Sequence, residues 1–241
     1  KQADSARKEI IMKVCILSMQ RVNNFGSLLQ AYSLMKILQH LGHDVSFMDI
    51  QPNRDEIQLM VHNFAYLDSP NTTFINKLDH YALNRIKNKI LIHLQDKKFR
   101  EFRIKNLHIH ATREEQKIDA CVIGSDEVFN CMQPSPWGFT TQLFGNVPQA
   151  KKIITYAASC GYTRYDMIPK NMCIKIKNAF ERISAISVRD QNTKYFAHQL
   201  TQKPVFEHLD PVMIGDFEYE MTCVEKRSKL PPNACIIYAY T

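Results

Sequence analysis

The residue types that could do chemistry fall in four short polar clusters, and each cluster follows an apolar run. Asn23-Asn24, with Gly26, Ser27 and Gln30, comes after residues 14–18. Gly124-Ser125-Asp126-Glu127, with Asn130, comes after residues 119–123. Ser159 follows residues 152–157, and Arg189-Asp190 follows residues 185–188. Together they offer amides, hydroxyls, carboxylates and a guanidinium. The stretch 21–30 is the most telling. It is a small polar loop with one glycine, set between a strand-like run and the start of an amphipathic helix. A helix start leaves backbone N–H groups unpaired, a natural seat for an anion or a carboxylate. An exposed helix start favours an anion by only about 0.3–1 kcal/mol, so a charged partner such as Arg189 has to share the task. The plainer use of Asn23 and Asn24 is loop and helix capping.

The elements that position these clusters follow from periodicity. Residues 13–18 read as a buried strand. Residues 27–41 read as a helix, with Leu28, Ala31, Tyr32, Met35, Leu38 and Leu41 on one side and Gly42 as its C-cap. Residues 44–50 are a second strand, and a crossover of this length favours parallel, right-handed pairing. Residues 52–73 show no period. From 74 to 94, Ile75, Leu78, Ala82, Ile86, Ile90 and Leu94 recur at spacings of three and four, which predicts a helix; Phe99 and Phe102 extend it after a break. Strands are expected at 119–123, 152–157 and 185–188. Helices are expected at 171–182 and at 191–200, the latter N-capped by Asp190. Leu209-Asp210-Pro211 reads as turn chemistry, Pro231-Pro232 as a linker, and 234–240 as a further strand. The alternation predicts an α/β fold: a Rossmann-like parallel sheet with helices on both faces. In such sheets ligands sit beyond the carboxyl ends of the strands, where all four polar clusters fall.

Composition narrows the classes. The chain has 241 residues, 45% hydrophobic and 23% charged, enough apolar material for a globular core. The apolar run 10–19 is too short to span a membrane, is broken by Lys13 and lacks the flanks of a signal peptide, so a cytoplasmic location is expected. Seven cysteines include no C-x-x-C pair, and Cys15, Cys121 and Cys235 fall in expected strands. This argues against a disulfide framework or a zinc site. His108 and His110 alternate as strand neighbours do and read as structural. No metal is expected. The net charge of +7 is concentrated: residues 85–105 hold eight Lys or Arg against Asp96 and Glu101. This is a solvated helix face, or a contact surface for an acidic partner such as an anionic membrane. No nucleic-acid motif accompanies it. The first strand–helix turn lacks G-x-G-x-x-G, which disfavours a nicotinamide dehydrogenase.

Five segments in order resemble the polysaccharide pyruvyltransferase family. They are Asn23-Asn24-Phe25-Gly26-Ser27 with Leu29-Gln30-Ala31-Tyr32 and Leu41-Gly42-His43; Ile123-Gly124-Ser125-Asp126-Glu127-Val128-Phe129-Asn130; Tyr156-Ala157-Ala158-Ser159 with Gly161; Ile186-Ser187-Val188-Arg189-Asp190; and Leu209-Asp210-Pro211. They span most of residues 13–214. The family more often carries Gln-Val-Trp where this chain has Glu127-Val128-Phe129. A change there puts donor or acceptor choice in question.

The resemblance implies the first lobe of a GT-B-type two-lobed fold. On that reading residues 1–12 are a tail, 13–230 the N-terminal lobe, and 231–241 a linker and the first strand of a second lobe cut short. It also implies transfer of pyruvate from phosphoenolpyruvate to two hydroxyls of a saccharide acceptor, free or lipid-linked, with no further cofactor. The fragment alone is expected to be inactive. Asp126 and Arg189 are the implied catalytic pair. Asp126 orients or deprotonates a sugar hydroxyl, or merely caps its turn. Arg189 meets phosphate, or forms an internal ion pair with Asp190 or Asp210. Asn23, Asn24, Gly26, Ser27, Gln30, Gly124, Ser125, Glu127, Asn130 and Ser159 are the implied substrate-binding residues. A GT-B glycosyltransferase using a nucleotide sugar, and a non-catalytic glycan-binding lobe, remain as alternatives.

Overall fold

Alternation along the central strands gives the sheet two apolar faces, and each face is covered by helices. The computed structural model describes residues 11–51, 78–109, 117–133, 135 and 137–225. Expectations for residues 1–10, the stretch 52–77, His110, Cys235, the Pro231-Pro232 linker and the strand after it lie outside these residues. Six strands are described: β1 (Lys13–Leu17), β2 (Asp44–Phe47), β3 (Ile118–Asp126), β4 (Ala150–Ala158), β5 (Ile186–Val188) and β6 (Val205–Glu207). They form one sheet in the order β2-β1-β3-β4-β5-β6, and every pairing is parallel.

On one face Val14 and Ile16 of β1 and Ala120 and Val122 of β3 pack beneath two helices, α1 (Phe25–His40) and α2 (Leu78–Asn106). On the other, Leu17, Cys121, Ile123 and Ile153 meet α3 (Lys170–Phe180) and α4 (Gln191–Leu200) through Ile176, Phe180, Phe196 and Leu200. Each large aliphatic or aromatic side chain buried this way contributes about 1.5–3 kcal/mol. The sheet is therefore doubly wound, as the sequence predicts. Two short C-terminal helices, α5 (Pro211–Ile214) and α6 (Glu218–Glu225), return to α1. Ser33 Oγ donates to the Pro211 carbonyl at 2.6 Å, and Lys36 pairs with Glu220 at 3.0 Å.

Three local expectations change. Helix α2 runs without the break expected before Phe99. The polar stretch there is the solvent side of one helix. Phe99 and Phe102 hold the other side against Phe25 and Tyr32, with ring centroids 4.8 and 5.8 Å apart. His108 is not a strand residue. It sits just beyond α2 with φ 50°, while the N–H groups of Leu107 and Ile109 both return to the Arg103 carbonyl. Residues 205–207 are a sixth strand where only a lead into a turn was legible. Around Gly42 the expected helix stop is present: the Gly42 and His43 amides donate to the Gln39 and Leu38 carbonyls.

Candidate active site

The strand order dictates where a crevice can form. The chain leaves β1 on one side to make β2, then returns to the other side of β1 to make β3. The loops after β1 and β3 therefore part at their shared carboxyl edge, the usual ligand position in an open parallel sheet. Ser18 Oγ ties the two ends by donating to the Ser125 carbonyl at 3.0 Å.

The loop after β1 is pinned from beneath. Arg103 of α2 is buried and donates to the carbonyls of Gln20 (2.8 Å), Arg21 (3.0 Å) and Val22 (2.9 Å), and to Asn23 Oδ1. Burial lowers its pKa, and the neighbouring Arg21 charge adds to that. The Asn23 amide donates to Asp96 at 2.7 Å, so this side chain is held against α2. Asn24 is the N-cap of α1, with extended backbone and Oδ1 accepting from the Ser27 N–H at 3.2 Å. A Cβ at Gly26 would stand 3.1 Å from that oxygen. One orphan N–H of the expected anion seat is thus taken by the chain's own asparagine.

The turn after β3 is tightly constrained. Gly124 has φ 122°, and a Cβ there would stand 2.3 Å from the Tyr156 carbonyl oxygen, so only glycine fits beside β4. Asp126 has φ 96°. Its Oδ1 accepts the Glu127 N–H at 2.8 Å, while its Oδ2 is buried without a hydrogen-bond partner. Ser125 is fully buried, and its Oγ also lacks a partner. Burial pushes the Asp126 carboxyl above its usual range. The Ser27 hydroxyl, the Glu127 N–H and the Arg189 charge pull against that, and the Glu127 charge adds to it. Ser27 lies near enough to act on the carboxyl, yet Oδ2 closes no hydrogen bond. Glu127 and Asn130 bind each other at 2.7 Å, and Asn130 Oδ1 accepts from Thr163 at 2.6 Å.

Strand β4 bulges at Ala157, φ 45°, where the Ser187 hydroxyl accepts the Ala157 N–H at 3.1 Å. Ser159 beyond it donates to Asp190 at 2.8 Å, and Asp190 caps α4 through the Thr193 N–H at 2.8 Å. Of the two uses open to Arg189, the internal ion pair is formed, with Asp210 at 3.0 Å. Asp210 Oδ1 caps α5 through the Val212 N–H at 2.9 Å. Its Oδ2 also accepts from Gln30 Nε2, while Gln30 Oε1 is buried without a partner.

The edge thus brings together Ser27, Gln30, Ser125, Asp126 and Arg189. Asn23, Glu127, Asn130 and Ser159 are engaged in internal hydrogen bonds, and Asn24, Gly26 and Gly124 shape the backbone. Asp210 and Arg103 were not singled out as site residues by sequence. Asp210 would have needed residues 205–207 read as a strand, which puts it at the same edge. Arg103 lies four residues after Phe99, on the buried face of α2, and so does not belong to the exposed basic surface. Beside the edge, a cavity of about 130 Å³ is lined by Met19, Val22, Val128, Trp137, Phe139 and Phe144 among others. Among the described residues no three His, Cys, Asp or Glu side chains converge as metal ligands, and no helix is long and apolar enough to cross a membrane.

A family model described as polysaccharide pyruvyl transferase matches residues 24–232. No curated protein and no solved structure gives a significant match.

Proposed function

The chain belongs to the polysaccharide pyruvyl transferase family, and from that premise we propose that it acts in transfer of pyruvate from phosphoenolpyruvate to two hydroxyls of one saccharide unit. The product is a cyclic ketal on a cell-surface or exported polysaccharide. Protonation of the donor's methylene carbon makes C2 electrophilic. One sugar hydroxyl adds, phosphate leaves, and the second hydroxyl closes the ring. Of the two hydroxyl protons, one ends on the new methyl group and one leaves with phosphate.

The observation that supports this reading is the unpartnered Asp126 Oδ2, next to Ser125 and within reach of the Arg189 charge at the β1/β3 crevice. A buried carboxylate with a raised pKa is a stronger base, suited to taking a hydroxyl proton. Arg189 offers a guanidinium for the donor's phosphate or carboxylate. The remaining positive charge would come from the second lobe of a GT-B-type pair, so residues 1–241 alone should not turn over. The test is phosphate release and ketal formation by the complete gene product with phosphoenolpyruvate and a glycan acceptor. Asp126→Asn and Arg189→Ala should each lower the rate by about 10²–10³. Full activity in both variants would remove these roles. Thermal stabilisation by nucleotide sugars but not by phosphoenolpyruvate would favour a glycosyltransferase, and by neither a non-catalytic glycan-binding lobe. The exposed Lys98, Arg100 and Lys105 of α2 suit peripheral contact with an anionic, cytoplasmic membrane face. Salt-insensitive cosedimentation with anionic vesicles, or none, would exclude that contact.

A further inference from the structure

Resting on the transferase reading, we infer that the open flank of the sheet beside β5 and β6 is a glycan platform, on which Phe206, His208 and Tyr156 hold sugar units of the acceptor chain beyond the reacting one. Helices α1 and α2 cover this face of the sheet over β1 and β3, and Tyr156 packs against the margin of that cluster. Ring contacts set His208 beside Tyr156, and Phe206 beside His208. Out here the face is open: Phe206 is 56% exposed, and His208 is exposed too. Parallel sheets are normally covered on both faces, so bare rings at this place call for a partner.

The rings form a row with a polar contact built into it. Centroids lie 6.5 Å apart from Phe206 to His208 and 5.9 Å apart from His208 to Tyr156, the last pair inclined by only 13°. Each step is close to the length of one pyranose unit, whose C–H face packs on a ring while its hydroxyls reach past the rim. The row is fixed from beneath. Ser187 is buried and its Oγ accepts the Ala157 N–H at 3.1 Å, so the hydroxyl proton goes to His208 Nδ1, 2.7 Å away. In the neutral ring Nδ1 is then the acceptor, and Nε2 carries the hydrogen. Among the described residues Nε2 has no hydrogen-bond partner, which leaves it as a donor for a sugar oxygen. Tyr156 Oη is anchored on the Leu209 carbonyl at 3.2 Å.

Size and position select a glycan over a second protein surface. At about 150–250 Å² for a whole aromatic ring, three partly exposed rings and Leu209 present roughly 400 Å² or less. A stable protein interface takes about 800 Å² from each partner. A few sugar units need no more than the platform offers. The row is also continuous with the candidate site. Leu209, which holds Tyr156, is followed by Asp210, and Asp210 binds Arg189 and Gln30. A chain whose reacting unit lies in the crevice can therefore run past Asp210 onto Tyr156, His208 and Phe206.

Saturation-transfer NMR on the 241-residue chain tests this, with cellotetraose, maltotetraose, mannotetraose and galactotetraose as probes against their monosaccharides. At least one tetraose should bind about tenfold more tightly than its monosaccharide. Phe206→Ala and His208→Ala should each remove most of that advantage, and Phe206→Trp should keep it. Both side chains are exposed, so these variants should melt as the parent does. No tetraose advantage, or one that survives Phe206→Ala, would overturn the inference. So would a dimer, seen by sedimentation, that Phe206→Ala dissociates. The binding arm contains no phosphoenolpyruvate, so its failure leaves the transferase reading standing. Tetraose binding that needs Phe206, with no phosphate release from phosphoenolpyruvate by the complete gene product, would keep the platform and remove the transferase reading.

Discussion

Arg103 is the residue whose removal tests the architecture most directly. It reaches from α2 beneath the loop after β1 and satisfies four acceptors: three consecutive carbonyls and Asn23 Oδ1. Hydrogen bonds from a charged donor contribute about 1.5–3 kcal/mol each, but they do not add here, because Arg21 and Asn23 are exposed and water can replace part of the set. Arg103→Met keeps a stem to pack near Phe99, whose ring centre lies 5.9 Å from the guanidinium, and removes every donor. The buried Gln20 carbonyl is then the hardest to re-satisfy. The expected loss is about 3–5 kcal/mol, comparable to breaking a buried charged network. For a chain of this size that lowers Tm by about 10 °C. Arg103→Lys keeps the charge but not the fork, and should fall between. Urea denaturation gives the free energies, and hydrogen exchange of residues 18–24 shows whether the loop loosens ahead of the sheet. A Met variant within about 1 kcal/mol of the parent, with unchanged loop exchange, would refute the claim that this side chain holds the loop.

Three further outcomes are expected. Gly124→Ala should cost at least about 3 kcal/mol, because its Cβ meets the Tyr156 carbonyl at 2.3 Å in a backbone conformation L residues avoid; chemical denaturation reads it. A carboxyl whose folded pKa lies above its unfolded value binds its proton more tightly when folded, so it favours folding at low pH and opposes it as pH rises through that window. Asp126→Asn should therefore be more stable than the parent at neutral pH, lose that advantage in acid, and abolish the acid limb of the pH–rate profile; equal stability at all pH would contradict the burial argument. Thiol alkylation followed by peptide mapping should label the part-exposed Cys173 and Cys223 well before Cys15, Cys131 and Cys160, whose burial pushes their thiols up to about 11, 12 and 11.

Much of this edge was legible because its determinants are local. Strands buried on both faces read as continuous apolar runs, and the polar residue after each run has to lie at the sheet's carboxyl edge when all pairings are parallel. Asp190 as the cap of α4 follows from a side chain and an N–H three residues apart. What was not legible depends on partners distant in sequence. Gln30 and Asp210 are 180 positions apart, and nothing near either residue announces the other. Arg103 lay within a basic run whose average character is solvated. Only its spacing from Phe99 separates it from Arg100 and Lys105. Strand β6 has three residues, of which only Val205 is buried, too little pattern to separate a strand from an extended turn.

The unfavourable features of the described chain are not spread evenly. Three non-glycine residues have positive φ, and two of them, Asp126 and Ala157, lie on the neighbouring strands β3 and β4 towards their carboxyl ends. Three of the four buried polar side-chain atoms without a partner belong to Gln30, Ser125 and Asp126 of the same edge. Each such atom costs about 1–3 kcal/mol while it stays unpaired. A sequence selected for stability alone would supply partners, as it does for Asn130 in the loop after β3, Ser159 after β4 and Asp190 after β5. On the proposed function, the contrast between a satisfied network and an unsatisfied one along this edge is where a ligand would complete the hydrogen bonding. A ligand that fits the edge should then raise the chain's stability by more than its contact area suggests, because binding would also relieve atoms that the free protein leaves unpaired; thermal shift against ligands of matched size reads this.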